Sequence, residues 1–290
     1  MTWGKCVALG ALVLTLAACS DTDPTAGSVA ETPQTHAPAA PVRTAKPVRP
    51  TMAPVQAKPG ASSNATVMPV LDHGPRDKKQ IALTFDADLT ALMRRRLVSG
   101  TVKSYYNKAL IDELRALHVP ATMFLTGMWM EQYPQITKEL ANDPLFELGT
   151  HTYDHRGFTK HCYTLGTVPR EQMLADVRRA VADLDRLDPH ATRWFRFPGG
   201  CYDATALREL APAGVTAVGL DVPGADGFAK SPQPIIKQVL DHVQNGSIVV
   251  LHMHGGDNAP YTAQAVGPIV RELRARGYQL VTVTQLVSRR

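Results

Sequence analysis

The sequence predicts an α/β fold in which about seven parallel strands close, or nearly close, into a barrel wrapped by helices. Three observations carry that expectation. Strand-like and helix-like stretches alternate past about residue 78, no Gly-rich phosphate loop follows the first strand, and chemistry-bearing residues recur at strand ends. In a parallel barrel those ends meet at one rim, so residues far apart in sequence converge in space.

The folded part is preceded by segments of a different kind. Lys5 leads into an apolar run from Val7 to Ala18, too short to span a membrane but suited to a signal-peptide core. The run ends Leu16-Ala17-Ala18-Cys19, which resembles a bacterial lipobox; residues 1–19 then form the signal, with Cys19 the lipidated first residue and a lipid anchor in the membrane. An ordinary cleaved signal peptide is the alternative, and either reading exports the protein. Residues 20–75 are dominated by Pro, Ala, Thr and Ser, with too little apolar surface to offset the entropy of ordering. They read as a disordered linker extended by its prolines, leaving residues 76–290 as the folded domain.

The net charge of +5 and pI near 9.0 favour anionic surroundings such as a cell-wall polymer or a membrane surface. Nothing points to nucleic acid, and no feature sets an oligomeric state. The dense basic run Arg94-Arg95-Arg96 reads as a solvated loop face. With Cys6 removed and Cys19 lipidated, Cys162 and Cys201 remain, and an even pair in an oxidising compartment invites a disulfide, with two buried free thiols as the alternative.

The expected strands are Gln80 to Phe85, Ala121 to Leu125, Phe146 to Gly149, Arg193 to Phe197, Val215 to Leu220, Ser247 to His252 and Tyr278 to Val283. Amphipathic stretches between them predict helices over Asn107 to His118, Met130 to Leu140, Arg170 to Leu187, Ala204 to Leu210, Pro234 to Val243 and Ala263 to Arg276. Asp86 and Asp88 follow the first strand, His151 and His155 the third, and Arg196 and Pro198 the fourth. Asp221 and Asp226 follow the fifth, and His252 and His254 the sixth. One carboxylate with His151 and His155 makes a zinc-type ligand set.

These five stations resemble the motifs of the polysaccharide deacetylase superfamily, the NodB-homology or carbohydrate esterase family four proteins. Thr84-Phe85-Asp86-Ala87-Asp88 is similar to T-F-D-D-G, His151 to His155 fits H-[ST]-x-x-H, and Arg196-Phe197-Pro198-Gly199-Gly200 is similar to R-x-P-Y-G. Asp221 to Gly227 loosely resembles the Asp-rich fourth motif, and Leu251-His252 resembles L-x-H. The resemblance covers about residues 78 to 290. It implies a distorted (β/α) barrel, a divalent metal, most often Zn2+, and removal of acetyl groups from sugars.

Carried over residue by residue, it makes His151 and His155 metal ligands and Asp86 the base. His252 becomes the acid, Arg196 the holder of Asp86, and Asp226 the partner of His252. The Gly199 N–H would face the oxyanion, and Leu251 would line the pocket for the acetyl methyl. The chemistry suits these residue types. An amide nitrogen leaves only when protonated, and histidine held by a carboxylate is the side chain fitted to that near pH 7.

The chain departs from the motifs at two places. Position 87 is alanine with an aspartate one place later, so either Asp88 reaches the metal and leaves Asp86 as base, or Asp86 itself ligates. Gly199 stands where the third motif has an aromatic, and Phe228 follows Gly227 where an aromatic often closes the fourth. Those changes bear on which glycan is bound. Other residues have structural readings: His254 at the rim, His73, His118, His161, His190 and His242 at the surface or in caps, and Met123, Met128, Met130, Trp129 and Trp194 in packing. The expected activity is deacetylation of an envelope glycan, peptidoglycan or a chitin-like polymer. A glycan-binding barrel without turnover, or an acetylxylan or other amide or ester hydrolase, are the alternatives.

Overall fold

The computed structural model describes residues 66–288, so the expected signal peptide with Cys19 and most of the expected linker lie outside the described residues. The strands are β1 (Val70–Leu71), β2 (Gln80–Ala87), β3 (Ala121–Leu125), β4 (Phe146–Thr150), β5 (Trp194–Phe195), β6 (Thr216–Val218), β7 (Val222–Pro223), β8 (Ile248–His252) and β9 (Gln279–Val281). The helices are α1 (Ala91–Val98), α2 (Lys108–Ala116), α3 (Gly127–Gln132), α4 (Pro134–Ala141), α5 (Met173–Leu187), α6 (Ala204–Leu210), α7 (Pro232–His242), α8 (Thr262–Ala275) and α9 (Val283–Val287). None of them is long and apolar enough to cross a membrane.

Every strand pairing is parallel. The order is β1-β6-β5-β4-β3-β2-β8-β7, with β9 paired to the first residues of β2. The expected distorted barrel is thus a curled sheet whose pairing order ends at β1 on one side and β7 on the other. β1 falls inside the segment expected to be linker. It pairs Val70 and Leu71 with Ala217 and Val218, and Met68 beside it is buried, so the apolar residues at the end of the Pro-rich stretch are drawn into the fold.

Alternation along the strands sorts the side chains into two sets. Ile81, Leu83, Phe85 and Ala87 of β2 lie in the outer core beneath the helices, together with Val249, Leu251 and Met253. Ala82 lies on the other face with Phe124, Trp194, Ile248 and, from α9, Val283 and Leu286, which close the base of the curled sheet. Each fully buried large apolar side chain contributes about 1.5–3 kcal/mol. A one-residue slip of β2 would exchange its two faces, so the core fixes the register that carries Asp86 and Asp88 to the rim.

Local chemistry sets the helix ends. Thr90, Asn107, Thr126 and Asp203 accept backbone N–H bonds at the starts of α1, α2, α3 and α6. The run Arg94-Arg95-Arg96 is helical rather than loop: Met93 is the buried residue of α1, which leaves no apolar periodicity to read. The single helix expected over Met130 to Leu140 is two, because Pro134 lacks the N–H to continue α3 and begins α4.

Gly149 of β4 sits where the sheet is tightest. A Cβ there would lie 2.8 Å from the Trp194 carbonyl oxygen and 3.1 Å from the Phe124 ring. Gly149→Ala is expected to destabilise the protein by about 1–3 kcal/mol, read as a lower urea midpoint with an unchanged m-value.

Candidate functional site

The turn from His151 to His155 is strained and held from outside. Thr152 and His155 adopt φ of +65° and +62°, left-handed values that cost a non-glycine residue about 1–2 kcal/mol each. Bonds from three elements hold the geometry. The His151 N–H donates to Leu125 O at 2.9 Å, Gly127 N–H to Thr152 O at 3.0 Å, Met128 N–H to Tyr153 O at 2.8 Å, and Tyr153 N–H to Asp176 Oδ1 of α5 at 3.0 Å. The His155 N–H closes the turn on Thr152 Oγ1 at 3.0 Å.

That turn presents both imidazoles to one carboxylate. His151 Nδ1 donates to Arg196 O at 2.8 Å, which fixes the tautomer and leaves Nε2 as an open lone pair in the neutral ring. This Nε2 lies 3.5 Å from Asp88 Oδ1 and 3.6 Å from Asp86 Oδ2. His155 Nε2 lies 3.4 Å from Asp88 Oδ2. Burial pushes the His155 imidazole down to about 4, so it is neutral and able to ligate at physiological pH.

Asp88 reaches this position through the strand itself. β2 runs to Ala87, and residues two apart on an extended chain share a face, so Asp86 and Asp88 both point to the rim while Ala87 packs in the core. The buried Thr126 hydroxyl secures the end of the strand, donating to Ala87 O at 3.1 Å and accepting the Leu89 N–H at 3.0 Å. Burial opposes the Asp88 charge, yet His155, His254 and His252 hold its carboxyl well below the usual range.

The donor set fits a divalent cation. Ligand atoms of Asp88, His151 and His155 lie within 4.8 Å of one another. Asp88 Oδ1 is buried with no hydrogen-bond partner, which is costly for a carboxylate oxygen unless a cation satisfies it. Two imidazoles and one carboxylate suit zinc or a similar ion. Ligand atoms of Asp88, His252 and His254 also lie within 4.8 Å of one another, with Asp88 common to both groups.

Two ion pairs flank the donor set. Arg196, 2% exposed, donates from Nη1 to Asp86 Oδ1 and to Thr84 Oγ1, both at 2.8 Å. On the other side Asp226, fully buried, accepts from the His252 backbone N–H at 2.8 Å, from His252 Nδ1 at 2.8 Å and from the Thr262 hydroxyl at 2.6 Å. Burial opposes the His252 charge, but the Asp226 carboxylate, aided by Asp88 and Asp86, pushes the imidazole up to about 10. A third loop completes the rim: Pro198–Gly200, with Gly199 at φ +59°, is tied by the Cys162–Cys201 disulfide to the segment that follows the histidine turn.

A family model described as polysaccharide deacetylase matches residues 73–218, half of the chain. The chain belongs to the polysaccharide deacetylase family. A peptidoglycan-N-acetylglucosamine deacetylase of Bacillus cereus is 26% identical over 213 residues, 73% of this chain and 70% of that one. A chitooligosaccharide deacetylase of Azorhizobium caulinodans is 26% identical over 185 residues, 59% of this chain and 83% of that one. The solved structure of a peptidoglycan N-acetylglucosamine deacetylase shares the fold, with a TM-score of 0.64 at 24% identity over 76% of this chain and 93% of that one.

In this chain the residues expected at the site converge except for two. Leu251, expected to line the acetyl pocket, is fully buried in the outer core beside Leu83 and Phe85, on the face of β8 opposite His252. Strand alternation puts Val250, not Leu251, on the His252 face. Asp221 is structural: it accepts from Arg76 Nη2 at 2.8 Å, Ser247 Oγ at 3.0 Å and Ile248 N at 2.7 Å, and so pins the start of β8. His254, read from the sequence as a rim residue, is 2% exposed with Nε2 3.2 Å from Asp88 Oδ2. Extended pairing continues past β8, since Met253 N–H donates to Asp86 O at 2.7 Å, and the H-x-H spacing then turns both histidines to one side.

In chelator-treated protein, His252 is expected to titrate near 10 by NMR, and Asp226→Asn to bring it down. Because the folded value is raised, the pair's contribution to stability is fully present below the ordinary histidine value of 6.5 and is lost as pH rises through about 10. Urea midpoints of the wild type should fall across that window, and those of Asp226→Asn should lack this component.

Proposed function

We infer that the protein is a metal-dependent hydrolase that removes acetyl groups from N-acetylated glycan of the cell envelope, with peptidoglycan as the leading substrate. One observation carries the reading: a donor set of Asp88, His151 and His155 flanked by two separately wired pairs, Asp86 with Arg196 and His252 with Asp226. The named activities of the relatives, on peptidoglycan and on chitooligosaccharide, agree with it. The Leu16-Ala17-Ala18-Cys19 sequence supports a lipid anchor, with the Pro-rich segment as its tether. The disulfide agrees with an oxidising compartment.

Asp88, His151 and His155 would hold the cation, whose Lewis acidity polarises the acyl oxygen and acidifies water. Asp86 has one oxygen committed to Arg196 and the other, Oδ2, turned toward His151. That free oxygen takes the proton of the attacking water. His252, oriented through Nδ1 by Asp226, gives its Nε2 proton to the departing amine nitrogen. The Gly199 N–H, on its left-handed turn, stabilises the developing oxyanion, and Val250 supplies apolar surface for the acetyl methyl. The spacing Asp86-Ala87-Asp88 thus divides the two carboxylate roles between base and ligand.

The test is acetate release from chito-oligosaccharides, peptidoglycan and acetylxylan by zinc-loaded protein, with and without chelator, alongside metal content. Wild type is expected to release acetate in a chelator-sensitive manner. His151→Ala and Asp88→Ala should lose bound metal and activity together, whereas Asp86→Asn should keep the metal and lose about 10²–10⁴-fold in kcat. A folded, metal-loaded wild type that releases nothing from any substrate would overturn the hydrolase reading in favour of a glycan-binding barrel.

A further inference from the structure

We propose that Tyr163 and Phe228 form an aromatic ledge at the mouth of the site, on which the sugar ring next to the reacting one stacks; the inference rests on the glycan deacetylase reading above. Among the described aromatic residues these two are the exposed ones, at 75% each, and their ring centroids stand 6.4 Å apart with planes tilted by 37°. They come from different loops, 65 positions apart in the chain. Two neighbouring rings left in water are apolar surface in want of a partner.

Tyr163 is held in place by covalent and conformational means. It follows Cys162, whose disulfide to Cys201 ties it to the loop carrying Arg196 and Gly199, and its φ of +50° is a left-handed value that the surrounding structure must maintain. Gly199 is its counterpart. A Cβ at that position would lie 2.9 Å from Cys162 Sγ and 3.0 Å from both Tyr163 Cδ2 and Cε2. The R-x-P-Y-G pattern places an aromatic where Gly199 stands. The glycine makes room, and a ring from the disulfide-tied loop lies against the vacated space.

Phe228 comes to the same mouth from the opposite loop. It ends the short turn Asp226–Phe228, whose first residue holds His252, and a Cβ on the intervening Gly227 would lie 3.9 Å from His252 Cε1. The ledge therefore connects the oxyanion loop to the turn that orients the proton donor. A pyranose presents an apolar C–H face of about the size of one aromatic ring, and such a face packs against the electron-rich π surface. An occupant stacked beside His252 is a second sugar of the same chain, so the ledge selects polymer over monosaccharide.

Calorimetry on zinc-loaded protein tests this with chitotetraose, soluble peptidoglycan glycan strands and the monosaccharide N-acetylglucosamine as probes. Both side chains are exposed, so Tyr163→Ala and Phe228→Ala leave the core intact. Each is expected to weaken binding of at least one oligomer about tenfold, the factor that corresponds to 1.4 kcal/mol, with monosaccharide affinity unmoved. Tyr163→Trp should restore oligomer binding, and in turnover the alanine variants should raise the oligomer KM by more than they lower kcat. Equal oligomer affinity in wild type and alanine variants, equal losses on the monosaccharide, or no oligomer binding by wild type would each overturn the ledge. A wild type that binds oligomer through these rings yet releases no acetate would overturn the deacetylase reading and leave the ledge standing.

Discussion

Arg196 is a buried cation whose needs organise the rim of the fold. Its guanidinium donates to Thr84 Oγ1 and Asp86 Oδ1, and to the carbonyl oxygens of Val218 and Gly219 at 3.2 Å, and it lies 4.0 Å from the centre of the Phe124 ring. Its own carbonyl accepts the Nδ1–H of His151. One residue thereby fixes the orientation of Asp86, the tautomer of His151 and the approach of β2, β3 and β6. Removing either partner of a buried pair of this kind costs about 3–5 kcal/mol, because the other charge is left uncompensated. Stability and chemistry are coupled there by the same atoms.

The remainder of the site distributes its strain onto rigid neighbours. The left-handed residues of the histidine turn are held by amides at the start of α3 and by Asp176 on α5, elements packed in the main cores. Below the site, on the His151 face of β4, Glu147 accepts from Thr122 Oγ1 at 2.7 Å and from the Thr284 N–H at 3.3 Å; burial pushes its carboxyl up. The inner space of the curled sheet is therefore layered. An apolar base closed by α9 lies under a polar middle that ends in the ligand set, so the charged rim stands on a packed floor rather than on a channel.

The sequence announced most of this arrangement because the parallel sheet turns local patterns into spatial ones. Apolar runs located β2, β3, β4, β5 and β8, and polar residues at or just beyond the ends of four of them identified Asp86, His151, Arg196 and His252. What escaped was governed by alternation and by contacts between distant segments. Leu251 was misjudged because neighbours on a strand face opposite sides, and His254 because extended pairing past β8 depends on the backbone bond from Met253 to Asp86, which no local pattern reveals. The edge strand Val70–Leu71 was hidden in a Pro-rich segment and exists through its pairing with β6. Helix α1 lacked an apolar stripe, and Thr90 at its start was the remaining signal.

The placement of Ala87 closes a route through sequence space. Its methyl group lies in the outer core, fully buried among Leu83, Phe85 and Val249, while the aspartates on either side face the rim. An aspartate introduced there alone would bury a charge in an apolar layer without gaining a place at the cation, at a cost of several kcal/mol. Passage between the D-x-D spacing of this chain and an adjacent pair of aspartates thus requires the strand end to be rebuilt at the same time, with Asp88 and the Thr126 clasp altered together. The two spacings are separate solutions divided by a folding barrier, and a lineage that settles on one is held there by its own core.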